Sequence, residues 1–435
     1  METIETDTCL VTARRKLFFL DRATSGQARE YAGTFLTEFS VMASQIVVYK
    51  LAAHFLGTMG FSEYAVARRM ISLLSPLPAV GLGVALPRYV AYAQGQGDTQ
   101  RAARYLGATM WCVGLGTLLF VLLMNGFSGF FSYVFFGSRS YQYLTFPISC
   151  ILVALGVHAI AYGYFRGLLE MKRANLLQFI NIGIVPLAVF ALFRSSLSHM
   201  LEVQGFLSTG VALSAMLFTP WRNAGANFIA EARELLRYGM QRVPGDFIQV
   251  ALLALPATIV AHLRGVEEAG FVAFGISIMT MVGSMFAPIG LILLPKASGM
   301  LAEGSLGDLR SHVHKILLAT VILAGAFTAA ILLFGGALIG LYLGPNFQGA
   351  VPVLKIIAPG MLPYCVYVVL RNVVDAFHVN AINARNLLIS LVAFACLSIA
   401  AYGTWHAPIS IVIGLIASIF LLAGLTLQEA RRIMA

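Results

Sequence analysis

The chain is short of charge. Only 11% of its 435 residues are Asp, Glu, Lys or Arg, while 59% are hydrophobic. A soluble domain carries about 25% charged residues, so a water-facing surface cannot be built from this composition. Lipid is the solvent that removes the difficulty. Catalytic signatures are missing as well. There is no phosphate-loop lysine motif, no G-x-S-x-G and no H-E-x-x-H, which excludes direct ATP use through a phosphate loop, a hydrolase nucleophile elbow and a zinc-protease helix. The five cysteines (Cys9, Cys112, Cys150, Cys365, Cys396) lack C-x-x-C spacing. They read as buried free thiols with no disulfide framework, and no metal or cofactor pattern accompanies them. Residues 1–30 are polar, with Arg14, Arg15, Lys16, Arg22 and Arg29, and do not read as a signal peptide.

Long apolar runs are what the sequence has in quantity. A bilayer core takes about 20 apolar residues per helix. Runs of that kind fall at roughly 32–56, 65–87, 105–126, 145–165, 175–193, 198–219, 241–262, 269–294, 316–342, 352–371, 386–402 and 406–427. The pattern predicts an all-α polytopic membrane protein with twelve transmembrane helices. With the N-terminus inside, 21 of the 29 Lys and Arg fall on the cytoplasmic side and only Arg139, Arg194 and Arg264 outside. That bias predicts cytoplasmic N- and C-termini. The excess of ten positive charges is spread between apolar segments, which excludes a nucleic-acid-binding patch.

The two halves superpose at an offset of 208. Glu38-Phe39 meets Asp246-Phe247, Ala53-His54 meets Ala261-His262, Gly57 meets Gly265, Ala65 meets Ala273, and Leu86-Pro87-Arg88 meets Leu294-Pro295-Lys296. Two six-helix lobes in the same orientation are parallel repeats, and a cavity between them can open to either side by rocking. The expected units are a cytoplasmic segment (1–30), an N-lobe (31–220), a cytoplasmic inter-lobe linker (221–240) and a C-lobe (241–435). No loop is long enough to hold a separate soluble domain.

The stretch from Tyr64 to Ala91, with Arg68-Arg69, Pro76, Pro78 and Pro87-Arg88, is followed by a Gly97-Asp98 loop. It resembles the second helix of polysaccharide and O-antigen flippases of the multidrug/oligosaccharidyl-lipid/polysaccharide exporter superfamily. Length, spans and repeat fit the same family. The resemblance implies a flippase of the inner (cytoplasmic) membrane and no enzyme activity. It would move an amphiphilic polyprenyl-pyrophosphate-linked oligosaccharide, an O-antigen or exopolysaccharide repeat unit, by alternating access. Its partners would be the lipid bilayer, the lipid-linked substrate, a coupling proton or sodium ion, and a polysaccharide polymerase with glycosyltransferases.

Ionisable residues inside spans are functional-site candidates by default. Lys50, Arg68 and Arg69 converge in sequence on the outer part of the first lobe, and Lys355 can face them from the second. Together they suit a phosphate or pyrophosphate group, or alternatively snorkel to headgroups. Arg68 and Arg69 are adjacent and so point about 100° apart on a helix. Arg242 with Asp246, and Arg371 with Asp375, are four apart and either neutralise each other or form a second-lobe site. Glu38 and Asp246 share a repeat position and, with Asp375, are candidates for ion coupling. His158, Gln45 and Gln249 are candidate cavity polar groups. His54 and His262 read as interfacial. Tyr49, Tyr162, Tyr164, Tyr364 and Tyr367 are available for sugar contact or for the interface belt.

Two other readings compete. A multidrug cation antiporter of the same superfamily needs an acidic or aromatic cavity, whereas the first lobe holds more cations than carboxylates. A membrane polymerase or ligase generally needs a sizeable outer loop with catalytic groups. The largest outer loop here, 127–144, has one arginine and no carboxylate.

Overall fold

The computed structural model is mainly helical in the residues it describes, which are 2–223, 228–286, 289, 306–377 and 382–434, with side chains from Ala32 onward. The side chain of Arg242 and the Leu294-Pro295-Lys296 repeat match lie outside the described residues. Helix α1 (Glu2–Leu74) is followed by α2 (Pro76–Ala79), α3 (Leu82–Gly95), α4 (Thr99–Gly126), α5 (Ser128–Phe136), α6 (Thr145–Gly167), α7 (Met171–Gln178), α8 (Val185–Leu192) and α9 (Leu197–Met216). The second half holds α10 (Ile229–Arg264), α11 (Val266–Ser284), α12 (Leu306–Tyr342), α13 (Ala350–Ile357), α14 (Met361–Phe377), α15 (Ile382–Trp405) and α16 (Ile409–Met434).

Among the described residues, ten stretches are long and apolar enough to cross a membrane. One of them, Ala32–Ala79, runs to 48 residues and folds back on itself at Gly57. There φ is 66° and ψ −169°, backbone that only glycine adopts without strain. The reversal brings Tyr49 and Tyr64 ring to ring at 5.5 Å; a straight helix would hold them about 22 Å apart. The first two expected spans are therefore the two arms of this hairpin. The sixth expected span is a helix, α9, but is not among the ten.

The repeat reappears in the backbone. Gly265, at φ 89° and ψ 179°, joins α10 to α11 in the conformation that Gly57 uses. The two hairpins pack on each other through matching positions. A Cβ on Gly270 would lie 2.2 Å from the Cβ of Ser62, and Arg69 hydrogen-bonds Ser277; both pairs are 208 residues apart. Two such self-matching contacts, two helical turns apart on one helix, put the pseudo-twofold axis along the helices. That is the geometry of parallel repeats.

Two differences from the sequence reading concern the end of the N-lobe away from Gly57. The second span is broken at Val80–Gly81, both with positive φ. The linker is not a loop throughout: its second part is the first third of α10, continuous with the seventh span. This arm lies on the N-lobe. Glu231 accepts from Arg104 at 2.6 Å, and Glu234 pairs with Arg101 at 3.3 Å. Arg88 stands 4.5 Å over the Tyr238 ring, and Leu235 is buried among Leu82, Val90, Tyr105 and Phe165. Gly81 meets Gly239 so closely that a Cβ on either would fall 2.4 Å from a carbonyl oxygen of the other segment. Of the cysteines read as buried, Cys150 and Cys365 are, Cys112 is half-buried and Cys396 is exposed; its helix, α15, presents much of its surface outward.

Candidate functional site in the two lobes

The contact between the lobes is closed at the end of the bundle that carries Gly57 and Gly265. Phe61 packs on Phe274 at 5.3 Å and on Phe347 at 5.1 Å, Tyr49 on Phe274 at 5.5 Å, and Phe274 stacks on Tyr342 at 6.3 Å. The Tyr342 hydroxyl donates to the Ile46 carbonyl. These rings come from both halves of the chain, so together they form an apolar seal across the lobe boundary.

The cations expected to converge do not share one site. Arg68 turns into the N-lobe. Arg69, one residue on, crosses to the C-lobe and donates to the Ala273 carbonyl at 3.1 Å and to Ser277 Oγ at 2.5 Å. Lys50 is exposed, whereas Gln45 and Tyr49 on the same helix are buried. Lys355 is exposed and lays its stem along Gly335 of α12. The 100° between successive helical residues separates Arg68 from Arg69, and the same step carries Lys50 away from Tyr49.

Arg68 faces a cavity of about 190 Å³ inside the N-lobe, lined among others by Gln45, Tyr64, Asn181, Gln204 and Ser208. Its Nη1 donates to Gln45 Oε1 and to the Tyr64 hydroxyl. Its guanidinium carbon lies 5.2 Å from the Tyr49 ring centre and 5.8 Å from that of Tyr64. No carboxylate forms an ion pair with it among the described residues. A cation taken out of water without a counter-charge is costly, and π-faces with two neutral acceptors offset only part of that cost.

Gln45 is oriented for this by an irregularity in the fifth span. Between α7 and α8 the chain makes a π-helical turn, Phe179–Ile184. The wider turn leaves carbonyls free, and Gln45 Nε2 donates to Ile182 O at 2.7 Å while Ser44 Oγ donates to Gly183 O at 2.6 Å. With its amide nitrogen engaged there, the oxygen of Gln45 is left for Arg68. π-Turns of this kind are frequent at functional sites.

The same turn carries Asn181, which ends a directional polar chain. Gln178 Nε2 donates to Glu38 Oε1 at 3.4 Å. Gln178 Oε1 then accepts from His158 Nε2 at 3.0 Å, and His158 Nδ1 accepts from Asn181 Nδ2 at 3.1 Å. This assigns the neutral imidazole with its proton on Nε2. Tyr162 stacks on His158 at 5.4 Å, and Arg166 lies 5.5 Å over Tyr162. Asn181 Oδ1 and Gln204 Oε1 are buried without a partner among the described residues, and both residues line the Arg68 cavity.

The C-lobe has a looser counterpart. Arg371 donates to Gln249 Oε1 at 2.9 Å and lies 6.0 Å from the Tyr367 ring centre. As with Arg68 and Tyr64, the arginine follows its tyrosine by four residues and takes a glutamine from the lobe's opening helix. Arg371 and Asp375 are not ion-paired; Asp375 accepts from Asn383 Nδ2 at 2.7 Å instead. Asn383 also donates to the Arg371 carbonyl and so bridges the two turns of helix that the expected pair would have spanned. Asp246 and Asp375 are exposed, whereas Glu38 is half-buried.

Gln178, Asn181, Gln204 and Ser277 went unread in the sequence. The available signal was a lone amide in an apolar run, Gln178 and Asn181 within 175–193. Among the described residues no group of three His, Cys, Asp or Glu gathers into a metal site.

A family model described as "Polysaccharide biosynthesis protein" matches residues 31–300. The chain belongs to this family. It is 20% identical over 398 residues to stage V sporulation protein B of Bacillus subtilis (strain 168), covering 84% of this chain and 76% of that one. Its fold is that of the MATE transporters of the MOP superfamily. An inward-facing multidrug resistance MATE transporter aligns with TM-score 0.70 at 13% identity, over 92% of this chain and 98% of that one. A eukaryotic MATE transporter aligns with TM-score 0.68 at 14% identity, over 93% and 97%. An outward-facing MATE structure aligns with TM-score 0.65 at 12% identity, over 93% and 95%. The family member described here is thus a multi-pass membrane protein with a transporter fold.

Proposed function

We propose that this protein flips a polyprenyl-pyrophosphate-linked oligosaccharide, an O-antigen or exopolysaccharide repeat unit, across the inner membrane. It does so by alternating access between two lobes of six spans each, with both termini cytoplasmic. The observation that carries the reading is Arg68, a half-buried cation that faces a polar cavity and has no acid partner among the described residues. A phosphate oxygen supplies the missing counter-charge and takes guanidinium donors in their fixed fork. The cavity is too small for an oligosaccharide but takes a phosphate group, so the glycan occupies the space between the lobes while the polyprenyl tail stays in lipid. Arg371, over Tyr367, meets the head from the C-lobe. Glu38, at the end of the His158 chain, is the coupling carboxylate for a proton or sodium ion.

A deletion strain tests this. Lipid extracts are expected to contain an accumulated polyprenyl-pyrophosphate oligosaccharide on the cytoplasmic side, with surface polysaccharide lost. Drug sensitivity without accumulation moves the assignment to a multidrug cation antiporter, a reading that the exposed Asp246 and Asp375 beside Tyr367 would serve.

A further inference from the structure

Arg69 is a buried cation that the headgroup site does not use. It is 9% exposed, lies in the sealed contact between the lobes, and has no acid within ion-pair distance among the described residues. Its two hydrogen bonds, to Ala273 O and Ser277 Oγ, go to neutral acceptors already in use. Ser277 Oγ itself donates to Ala273 O at 2.8 Å and is bonded to the Tyr49 hydroxyl at 2.8 Å. Arg69 Nε is buried with no hydrogen-bond partner among the described residues. Its charged neighbour is another cation, Arg68.

A guanidinium stays protonated in such a place, so the closed contact carries the full desolvation of a charge that is only partly hydrogen-bonded. Breaking the contact releases that charge to water. Replacing a buried ion by an apolar side chain of similar volume is commonly neutral or stabilising for the packed state. The aromatic seal and the Ser62–Gly270 contact close the gate; Arg69 opposes them.

We propose that Arg69 is the residue that keeps the gate at the Gly57/Gly265 end from locking shut, acting as a buried charge that favours lobe separation. The inference rests on the alternating-access part of the flippase reading and on no particular substrate. Once the lobes part, Arg69 stands in the opened cleft beside Ser277, free to meet an anionic group. The closed gate is then reached again only when that group has left.

The test uses the full chain in nanodiscs, where reagent reaches both faces, with the native cysteines replaced and Ser62→Cys as reporter. Ser62 is 0% exposed and lies against Gly270, so a maleimide reacts only when the lobes separate. Arg69→Met is expected to slow labelling by about tenfold or more, equivalent to about 1.4 kcal/mol in the opening equilibrium. Arg69→Gln, which keeps a polar N–H donor without the charge, should slow it in the same direction and serves if the Met variant fails to fold. Arg69→Lys should label close to the parent rate. Labelling that is unchanged or faster in both Met and Gln variants overturns the proposal, since Arg69 would then be a clasp or inert. No labelling in the parent, with pulsed spin-label distances between His54→Cys and Arg264→Cys showing one fixed separation, removes alternating access itself.

Discussion

The two lobes open with the same hairpin and then treat their charges differently. In the N-lobe, Arg68 is enclosed with Gln45, Tyr49 and Tyr64, and Glu38 is tied by Gln178 to His158 and Asn181. In the C-lobe, Arg371 makes an analogous bond to Gln249, but Asp246 and Asp375 stand exposed. Both arginines are half-buried, but the N-lobe carboxylate is half-buried in a hydrogen-bonded relay while the C-lobe carboxylates face outward. Low local dielectric strengthens interactions in the first and water weakens them in the second, so the N-lobe should dominate function even though both lobes contribute residues of the same type.

The largest expected effect tests that ranking directly. Arg68→Ala should reduce glycan export about 100-fold, corresponding to roughly 2.7 kcal/mol, the scale of a charged hydrogen bond lost in a dry site. Arg371→Ala, measured in the same complementation assay at equal membrane abundance, should cost about tenfold or less. The reverse order would place the principal anion site in the C-lobe. Next in size, Glu38→Gln should abolish the dependence of export on the ion gradient, while Asp246→Asn should leave it within about threefold, because an exposed carboxylate is better screened. Equal losses would mean that both lobes couple.

Two smaller effects concern stability. His158→Leu strips partners from Gln178 and Asn181 at once. It should lower stability in detergent by about 2–4 kcal/mol, at roughly 1–2 per orphaned group, read from the thermal midpoint. Gly57→Ala and Gly265→Ala should each cost about 1–3 kcal/mol, and by similar amounts, because both occupy the same glycine-only backbone. A clear inequality would show that the hairpins, the most alike part of the lobes, have also diverged. The smallest effect is Glu231→Gln on the arm of α10, about 1 kcal/mol, since its partner Arg104 is partly exposed.

Legibility followed the physics of each feature. Gly57 and Gly265 could be found because a positive-φ turn admits little but glycine, so duplication left both in place. That Arg68 and Arg69 diverge was also readable, since helical geometry fixes the angle between neighbours whatever surrounds them. The direction each takes was not, because it depends on which helix packs against it. The π-turn at Phe179–Ile184 has no periodic signature, since one wide turn hardly changes the apolar pattern. The arm of α10 was hidden for another reason. Its Glu231, Glu234 and Leu235 read as a polar linker until Arg101, Arg104 and the small Gly81 are brought beside them from more than a hundred residues away.

Arg69 and Ser277 stand at one repeat position and touch each other across the pseudo-twofold axis. In a dimer of two identical half-length chains, the residue at such a point meets its own copy. Two guanidinium groups in that dry contact, which has no acid within ion-pair distance among the described residues, would repel. The arginine could therefore become fixed only after both halves were encoded in one gene, where a change in the first copy need not be repeated in the second. The duplicated protein gained more than a covalent link from fusion. It gained a place on its own symmetry axis where a single charge can stand.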